Sequence, residues 1–223
     1  MKIRVMEIPI SRFHRPGLVR KKKGLVIHST SNDARAINER NNLARQDNNF
    51  YVSFHYAVDE NEAIQIIPDN EVAYHGGNKE ANHEYIGIEI CERVQLGEAV
   101  NNAAMLCASL LKQYGWGVND MKRHFDFLQG KKGKTYYKPC PRILQKDNWR
   151  MWGEFKMLVQ KYLDKLNEES KSTERDVNKV SDYAVEPLKN MKEMGVTSGE
   201  RPNDYVTRQE VVTMLDRYDK IKK

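Results

Sequence analysis

The chain has 223 residues, of which 39% are hydrophobic and 30% are charged, and its formal net charge is +6. This length accommodates one domain with a full hydrophobic core and a smaller second one. No apolar stretch approaches the roughly 20 residues that a membrane helix needs. With three cysteines, Cys91, Cys107 and Cys140, the composition excludes a disulfide-rich scaffold and favours a reduced protein.

Short apolar and β-branched runs in the first half of the chain predict strands. They are residues 25–27, 54–58, 63–67 and 86–90. The polar turn 59–62 joins the second run to the third and predicts a hairpin. After the first run, Ser31 or Asn32 is placed to cap a helix that reaches about Asn48.

Helical spacing dominates the middle of the chain. Apolar residues recur at this spacing from Glu98 to Tyr114, and Gly115 supplies a C-terminal stop. A last amphipathic helix is predicted across residues 144–166. Strands mixed with helices on both sheet faces predict an α/β domain, a central mixed β-sheet flanked by helices, over residues 1–166.

The C-terminal part changes in character. Residues 167–176 are charged and lack aliphatic side chains, which predicts a linker. Residues 177–223 predict a small helical module, in which a helix from Ala184 to Met194 ends at Gly195. Thr207 to Glu210 form a capping box that opens a second helix.

Two histidines and a cysteine stand out as candidate metal ligands. His28 ends the first strand, His124 lies in the segment RHFD, and Cys140 lies in KPCP. Two neutral imidazoles and a thiolate make a good zinc set, and three protein ligands leave a fourth tetrahedral position for a reactive water. The alternative for each residue alone is a structural role, which is common for a histidine that follows a strand.

The amino-acid sequence around these residues resembles that of the zinc-dependent N-acetylmuramoyl-L-alanine amidases of the phage lysin and peptidoglycan-recognition type. The resemblance runs from about residue 8 to about residue 166. It includes several short segments that precede the His124 and Cys140 segments and occur in the same order as in the family. They are residues 11–17, 24–30, 52–59, 64–69, 72–78 and 86–91. It implies that Zn²⁺ is held by His28, His124 and Cys140.

The resemblance also assigns roles beside the metal. It implies that Glu89 is the general base, although spacing alone equally fits a solvent-facing strand residue. Lys138 is implied to stabilise the oxyanion, its alternative being one more lysine of a basic loop. His55, His75 and Asn78 are implied to line the substrate groove, while His55 is equally suited to packing.

Two further segments carry predictions. The stretch 128–137 lengthens the spacing between His124 and Cys140 and is expected to form a loop at the edge of the groove. The C-terminal segment resembles one S-layer homology motif, with an unrelated helical hairpin as the alternative. Arg208 is its candidate contact to an acidic wall polymer, or an ordinary helix residue. We expect this module to allow homo-oligomers.

Taken together, the patterns predict a peptidoglycan hydrolase that cleaves the bond between N-acetylmuramic acid and L-alanine. The N-terminus lacks the apolar core of a signal peptide, so we expect a phage or prophage endolysin that is made in the cytoplasm and reaches the wall after holin-type release. The alternatives are a host autolysin and a non-catalytic peptidoglycan-binding protein. The basic clusters at 20–23 and 131–138 lack an accompanying nucleic-acid motif, so no nucleic-acid partner is expected; a solvated basic surface and attraction to an anionic wall polymer are the alternatives. Because no apolar stretch is long enough for a membrane helix, no membrane insertion is expected.

Overall fold

The structure is a computed structural model that describes residues 1–45, 47–92, 95–131, 134–173, 184–198 and 208–221. The chain divides into two compact units, Met1–Asn167 and Glu168–Lys223. Within the described residues, no helix combines the length and the apolar character that crossing a membrane requires.

A central sheet organises the first unit. Among the described residues its six strands are β1 (Lys2–Val5), β2 (Gly24–Ser29), β3 (Tyr56–Val58), β4 (Glu62–Gln65), β5 (Tyr85–Ile90) and β6 (Met121–Arg123). Their order across the sheet is β1-β4-β3-β5-β2-β6. The strands β3, β5, β2 and β6 run parallel, whereas β4 pairs antiparallel with β3 in the predicted hairpin. The carboxyl ends of four neighbouring strands therefore meet at one edge of the sheet.

Helices cover both faces of this sheet. They are α1 (Ala36–Leu43), α2 (Lys79–Glu84), α3 (Leu96–Tyr114) and α4 (Lys146–Thr173). Helices α3 and α4 bury residues such as Leu106 and Val159 against Ile27 and Ile88 of the central strands. Helix α1 packs on the other face, where Leu43 joins a second core cluster. This arrangement confirms the predicted fold class, a mixed sheet flanked by helices.

The N-terminus of α1 is capped from another element. The helix is shorter than predicted, and Asn32 accepts a hydrogen bond from the backbone of Ala34 (2.9 Å) ahead of it. The amide of Ala36 instead donates to the carboxylate of Asp59 (3.0 Å), which lies in the β3–β4 turn. The same buried carboxylate accepts two backbone amides of that turn. One side chain thus joins α1 to the hairpin.

Two segments differ in form from the sequence-based expectation. In the described part of the stretch 128–137, for which the sequence predicts a loop, β7 (Gln129–Lys131) and β8 (Lys134–Tyr136) pair as an antiparallel hairpin. Helix α4 continues to Thr173, so residues 167–173 of the predicted linker are helical. Residues 174–176 lie outside the described part of the chain.

The described part of the second unit contains the end of α4 and two further helices, α5 (Val185–Glu193) and α6 (Arg208–Ile221). Gly195 follows α5 with φ of 70°, a left-handed conformation that favours glycine and confirms the predicted stop. The amide of Val196 donates back to the carbonyl of Met191 (2.9 Å), which satisfies the last turn of the helix. Thr207 of the predicted capping box and the side chain of Arg208 lie outside the described residues.

Candidate metal centre

Three neighbouring parallel strands bring His28, Glu89 and His124 to one level of the sheet. In the register of the sheet, His28 lies beside Glu89. On the other side Ile27 pairs with Arg123, so His124 follows in line with His28. Because side chains alternate along a strand, His28 and Glu89 share the face opposite α3 and α4, whose core takes the flanking isoleucines. The candidate site therefore lies at the carboxyl ends of β2, β5 and β6.

His28, His124 and Cys140 form a compact group of metal-ligand donors. Their ligand atoms all lie within 4.8 Å of one another, and all three side chains are buried. The rings of the two histidines are 4.6 Å apart between centroids, and Cys140 Sγ lies 3.8 Å from His28 Nδ1. Residues separated by more than a hundred positions thus meet in a group that suits a single metal ion.

A hydrogen-bond chain orients the ring of His28. His75 Nε2 lies 3.2 Å from the carbonyl oxygen of Tyr85, and because a carbonyl only accepts, this nitrogen carries the proton. In a neutral ring His75 Nδ1 is then an acceptor, and it receives the Nε2 proton of His28 at 3.0 Å. This leaves a lone pair on His28 Nδ1, the nitrogen that faces Cys140.

The second histidine also presents an unengaged nitrogen. Among the described residues, His124 Nδ1 is buried and has no hydrogen-bond partner. Its Nε2 contacts the side-chain amide of Gln129, which the β7 strand brings to the site. A buried polar atom without a partner is costly in a folded protein. A cation held between the donors would satisfy this atom.

Backbone and ionic contacts fix the loop that carries Cys140. The carbonyl of Cys140 accepts the amide of Phe125 (2.9 Å), which ties this loop to the His124 segment. Two residues further on, the amide of Arg142 donates to the hydroxyl of Ser29 at 3.1 Å. The guanidinium of Arg142 forms an ion pair with Glu92 at 2.5 Å. Cys140 is thus held beside β2 from both sides.

His55, His75 and Asn78, the residues expected to line the groove, all make hydrogen bonds within the protein. His55 is fully buried, and its two ring nitrogens contact the backbone of Glu71 and Gly87 at 2.9 Å each. His75 lies behind His28, as described above. Asn78 caps α2 by accepting the amide of Ala81 (2.8 Å). The two histidines are therefore placed to support the donor group from within the protein.

Comparison with known proteins agrees with this geometry. Residues 19–142 match the family described as N-acetylmuramoyl-L-alanine amidase. The chain belongs to this family. CwlA of Bacillus subtilis (strain 168) is 35% identical over 167 residues, a match that covers 71% of this chain and 57% of CwlA. XlyB of the same organism is 36% identical over 148 residues, covering 63% of this chain and 43% of XlyB. The chain spans about half the length of these curated relatives.

Two solved structures share this fold. The catalytic domain of XlyA matches with a TM-score of 0.61 and 29% identity, over 71% of this chain and 99% of that domain. The structure of PlyL matches with the same TM-score of 0.61 and 33% identity, over 71% of this chain and 97% of PlyL. The similarity thus covers the first unit, in which the candidate metal centre lies.

Burial keeps the histidines of this amidase-family site neutral. Desolvation lowers the pKa of His124 to about 4, with a further contribution from the charge of Lys138. Burial also lowers the pKa of His75 to about 3 and places that of His28 well below its ordinary value. Neutral imidazoles are the form that binds metals, so the donors are prepared for a cation near neutral pH.

The pKa values of the acidic groups of the site are raised, whereas those of the histidines are lowered. Burial raises the pKa of the Cys140 thiol to about 12, so its thiolate needs a cation beside it. Burial likewise raises the pKa of Glu89 to about 8, and the charge of Lys138 opposes this shift. One carboxylate oxygen of Glu89 is buried without a partner among the described residues. Glu89 is thus a buried carboxyl group whose pKa is raised into the range of neutral pH.

Several contributors to the site are not visible in sequence patterns. Gln129 lies in the 128–137 hairpin and touches His124, although no motif marks it. Glu92 and Ser29 hold Arg142, and their only signal is their position next to the ends of β5 and β2. These residues act through contacts between distant segments.

Gly87 has no side chain, and the ring of His75 occupies the space that a side chain would fill. A Cβ built on Gly87 would lie 2.5 Å from His75 Cγ, in a strand held by neighbours on both sides. We expect Gly87→Ala to push the ring of His75 away and to destabilise the protein by about 1–3 kcal/mol, measured by urea unfolding.

Gly97→Ala is the matched control for this substitution. Gly97 lies in the first turn of α3, and a Cβ built there meets nothing within 4 Å. Its replacement should leave the free energy of unfolding unchanged or slightly higher, because alanine favours helices. Equal unfolding midpoints for the two variants would contradict the close packing of His75 on Gly87.

Proposed function

We propose that this chain is a zinc-dependent N-acetylmuramoyl-L-alanine amidase. Its reaction is hydrolysis of the amide bond between the lactyl group of N-acetylmuramic acid and the L-alanine of peptidoglycan. The observation that carries this proposal is the group of His28, His124 and Cys140, whose donors lie within 4.8 Å of one another beside a buried carboxyl group. The names of the relatives support the same activity.

The donor set fits zinc better than other common metals. Two imidazole nitrogens and one thiolate are ligands that zinc accepts in a tetrahedral site, and three protein ligands are typical of its catalytic sites. The unpartnered Nδ1 of His124 and the lone pair on His28 Nδ1 both suit a cation. The hydrogen bonds from His28 to His75 and from His75 to Tyr85 are the outer contacts expected behind a metal ligand.

The residues beside the donors supply the acid–base chemistry. When bound, zinc acidifies a water molecule and polarises the amide carbonyl as a Lewis acid. Glu89 accepts the proton of the attacking water and delivers it to the departing amine of L-alanine, and burial, which raises the pKa of this carboxyl group, makes its carboxylate a stronger proton acceptor. Lys138, the charge that acts on Glu89 and both histidines, offsets the negative charge that develops on the carbonyl oxygen.

We assign supporting roles to the residues behind the site. His75 orients His28, and His55 fixes the backbone of Gly87 beneath His75. Asn78 holds the start of α2 and donates to the carbonyl of Leu128 (3.2 Å), which links the 75–78 loop to the hairpin. This loop then presents backbone groups to the peptide stem of the substrate.

We further propose a lytic role directed to the cell wall. Residues 1–166 act as the catalytic domain and residues 177–223 as a wall-binding module of the S-layer homology type, in which Arg208 contacts a secondary wall polymer. The exposed apolar residues Val211 and Leu215 of α6 give this module a surface for association with further copies. An endolysin released after holin action is the setting that fits such an enzyme, and a structure titled as an endolysin is among the similar ones.

Replacing Cys140 by serine tests the metal. A hydroxyl is a poor zinc ligand, so Cys140→Ser should lower the bound zinc measured by mass spectrometry and abolish amide hydrolysis. Cys107→Ala is the control, because Cys107 is equally buried but lies in the core beneath α3. It should lose stability and keep its zinc. A Cys140→Ser protein with full zinc and activity would remove Cys140 from the centre.

Replacing Glu89 by glutamine separates binding from catalysis. The amide keeps the shape of the side chain and cannot accept the proton, so release of L-alanine amines from walls should fall by about 100-fold or more while zinc stays bound. Glu62→Gln is the control, a strand glutamate that pairs with Arg4 at the edge of the sheet. Comparable turnover in both variants would show that Glu89 is structural.

Shortening the chain tests the wall-binding module. A chain that ends at Glu169 retains the first compact unit and should still cleave soluble muropeptides. It should sediment less with intact walls than the full chain does, because the α5–α6 segment is missing. Equal sedimentation of the two chains would show that the second unit does not bind the wall.

A further inference from the structure

An aromatic cluster lies next to the candidate metal centre. The ring of Phe125, the residue after His124, is 5.5 Å from Tyr137 and 5.0 Å from Trp149 between centroids. Tyr137 in turn precedes Lys138 in the loop that leads to Cys140. Phe125, Tyr137 and Trp149, which we call the aromatic platform, therefore adjoin two of the donors and the proposed oxyanion residue.

Packing of the hydrophobic core does not explain this cluster. The neighbouring side chains Met151 and Trp152 pack against the core beneath α3 and α4. The platform residues instead contact one another, and Tyr137 is 53% exposed. Large aromatic side chains grouped at the surface beside a catalytic site are typical of ligand contacts.

A paired cation packs against two rings of the platform. The guanidinium of Arg123 lies 4.4 Å from the ring centroid of Trp149 and 5.2 Å from that of Phe125. This cation is already paired with the carboxylate of Asp126 at 2.5 Å, so it fixes the rings without attracting a further anion. Arg123 therefore adds no free positive charge to the rings, whose exposed faces suit a ligand with an apolar face.

The backbone that presents Trp149 is held in an unusual conformation. Asp147, Asn148 and Trp149 have φ angles of 53°, 53° and 69°, in the left-handed region that non-glycine residues rarely enter. Such a conformation is unfavourable for a residue that has a Cβ atom. Strain of this kind is concentrated at functional sites. Here it sets Trp149 against Phe125 before the regular part of α4.

We propose that the aromatic platform is a saccharide-binding subsite, which holds one sugar ring of the glycan strand while the amide bond lies at the metal centre. The proposal rests on the proposed function, because that substrate joins a sugar to the bond that is cut. A pyranose ring offers a flat C–H face that packs on aromatic rings, and its hydroxyl groups remain in water. Rigid rings lose little conformational entropy on binding, which favours such a contact.

The test uses the full chain and peptide-free glycan oligomers, made of alternating N-acetylglucosamine and N-acetylmuramic acid. In calorimetry or NMR titration, Trp149→Ala and Tyr137→Ala should each raise the Kd for these oligomers by about tenfold, the loss expected for one aromatic contact. Trp149→Phe should retain most of the affinity. Because Tyr137 is exposed, its substitution gives a readout that does not depend on correct folding around Trp149.

Trp116→Ala is the matched control, since Trp116 stacks on Tyr114 at 4.7 Å, ahead of β6 and away from the carboxyl ends of the strands. It should bind the oligomers as the unchanged chain does. Equal glycan affinity in the unchanged chain, Trp149→Ala and Tyr137→Ala overturns the subsite, as does an effect confined to sugar-free stem peptides. Absence of L-alanine amines in wall digests of the unchanged chain instead overturns the proposed function, so the two failures are distinguishable.

Discussion

The parallel alignment of β2 between β5 and β6 is the constraint on which the candidate site depends. Neighbouring strands lie about 4.8 Å apart, so residues at one level of the sheet are brought within reach of a single ion. His28, Glu89 and His124 occupy this level because of the register, not because of their positions in the chain. A shift of one residue in any of the three strands would turn its functional side chain into the core.

The interior of the site is anchored on the backbone. The carbonyl of Tyr85 can only accept a hydrogen bond, so it fixes a proton on Nε2 of His75. Nδ1 of His75 then accepts the proton on Nε2 of His28. Gly87 leaves the space that His75 fills, and His55 holds the backbone of Gly87 from below. Since none of these positions depends on a mobile side chain, the donors are held before a metal arrives. Such preorganisation is what a metal centre needs for affinity and for correct geometry.

Burial and charge act together on the chemistry of this centre. The same desolvation that keeps the histidines neutral raises the pKa values of Cys140 and Glu89, so the pocket without a cation favours uncharged forms. A cation reverses this preference at the thiol. The hairpin of β7 and β8 brings Gln129 to His124 and leads along the chain to Tyr137 and Lys138. The proposed saccharide subsite and the proposed oxyanion residue thus lie in one segment.

Local patterns in the sequence determined several elements of this protein and the chemical types at its centre, but they did not predict β1, α2 or β6. Alternation and helical spacing located β2, the β3–β4 hairpin, β5 and α3, because those patterns depend on neighbours a few residues apart. The tertiary structure alone decided the strand register, the capping of α1 by Asp59 and the contact of Gln129 with His124. It also placed His55 and His75 behind the donors and gathered the aromatic platform from three separate segments. Each of these contacts joins residues that the chain keeps apart, so it depends on packing and burial, which no local pattern records.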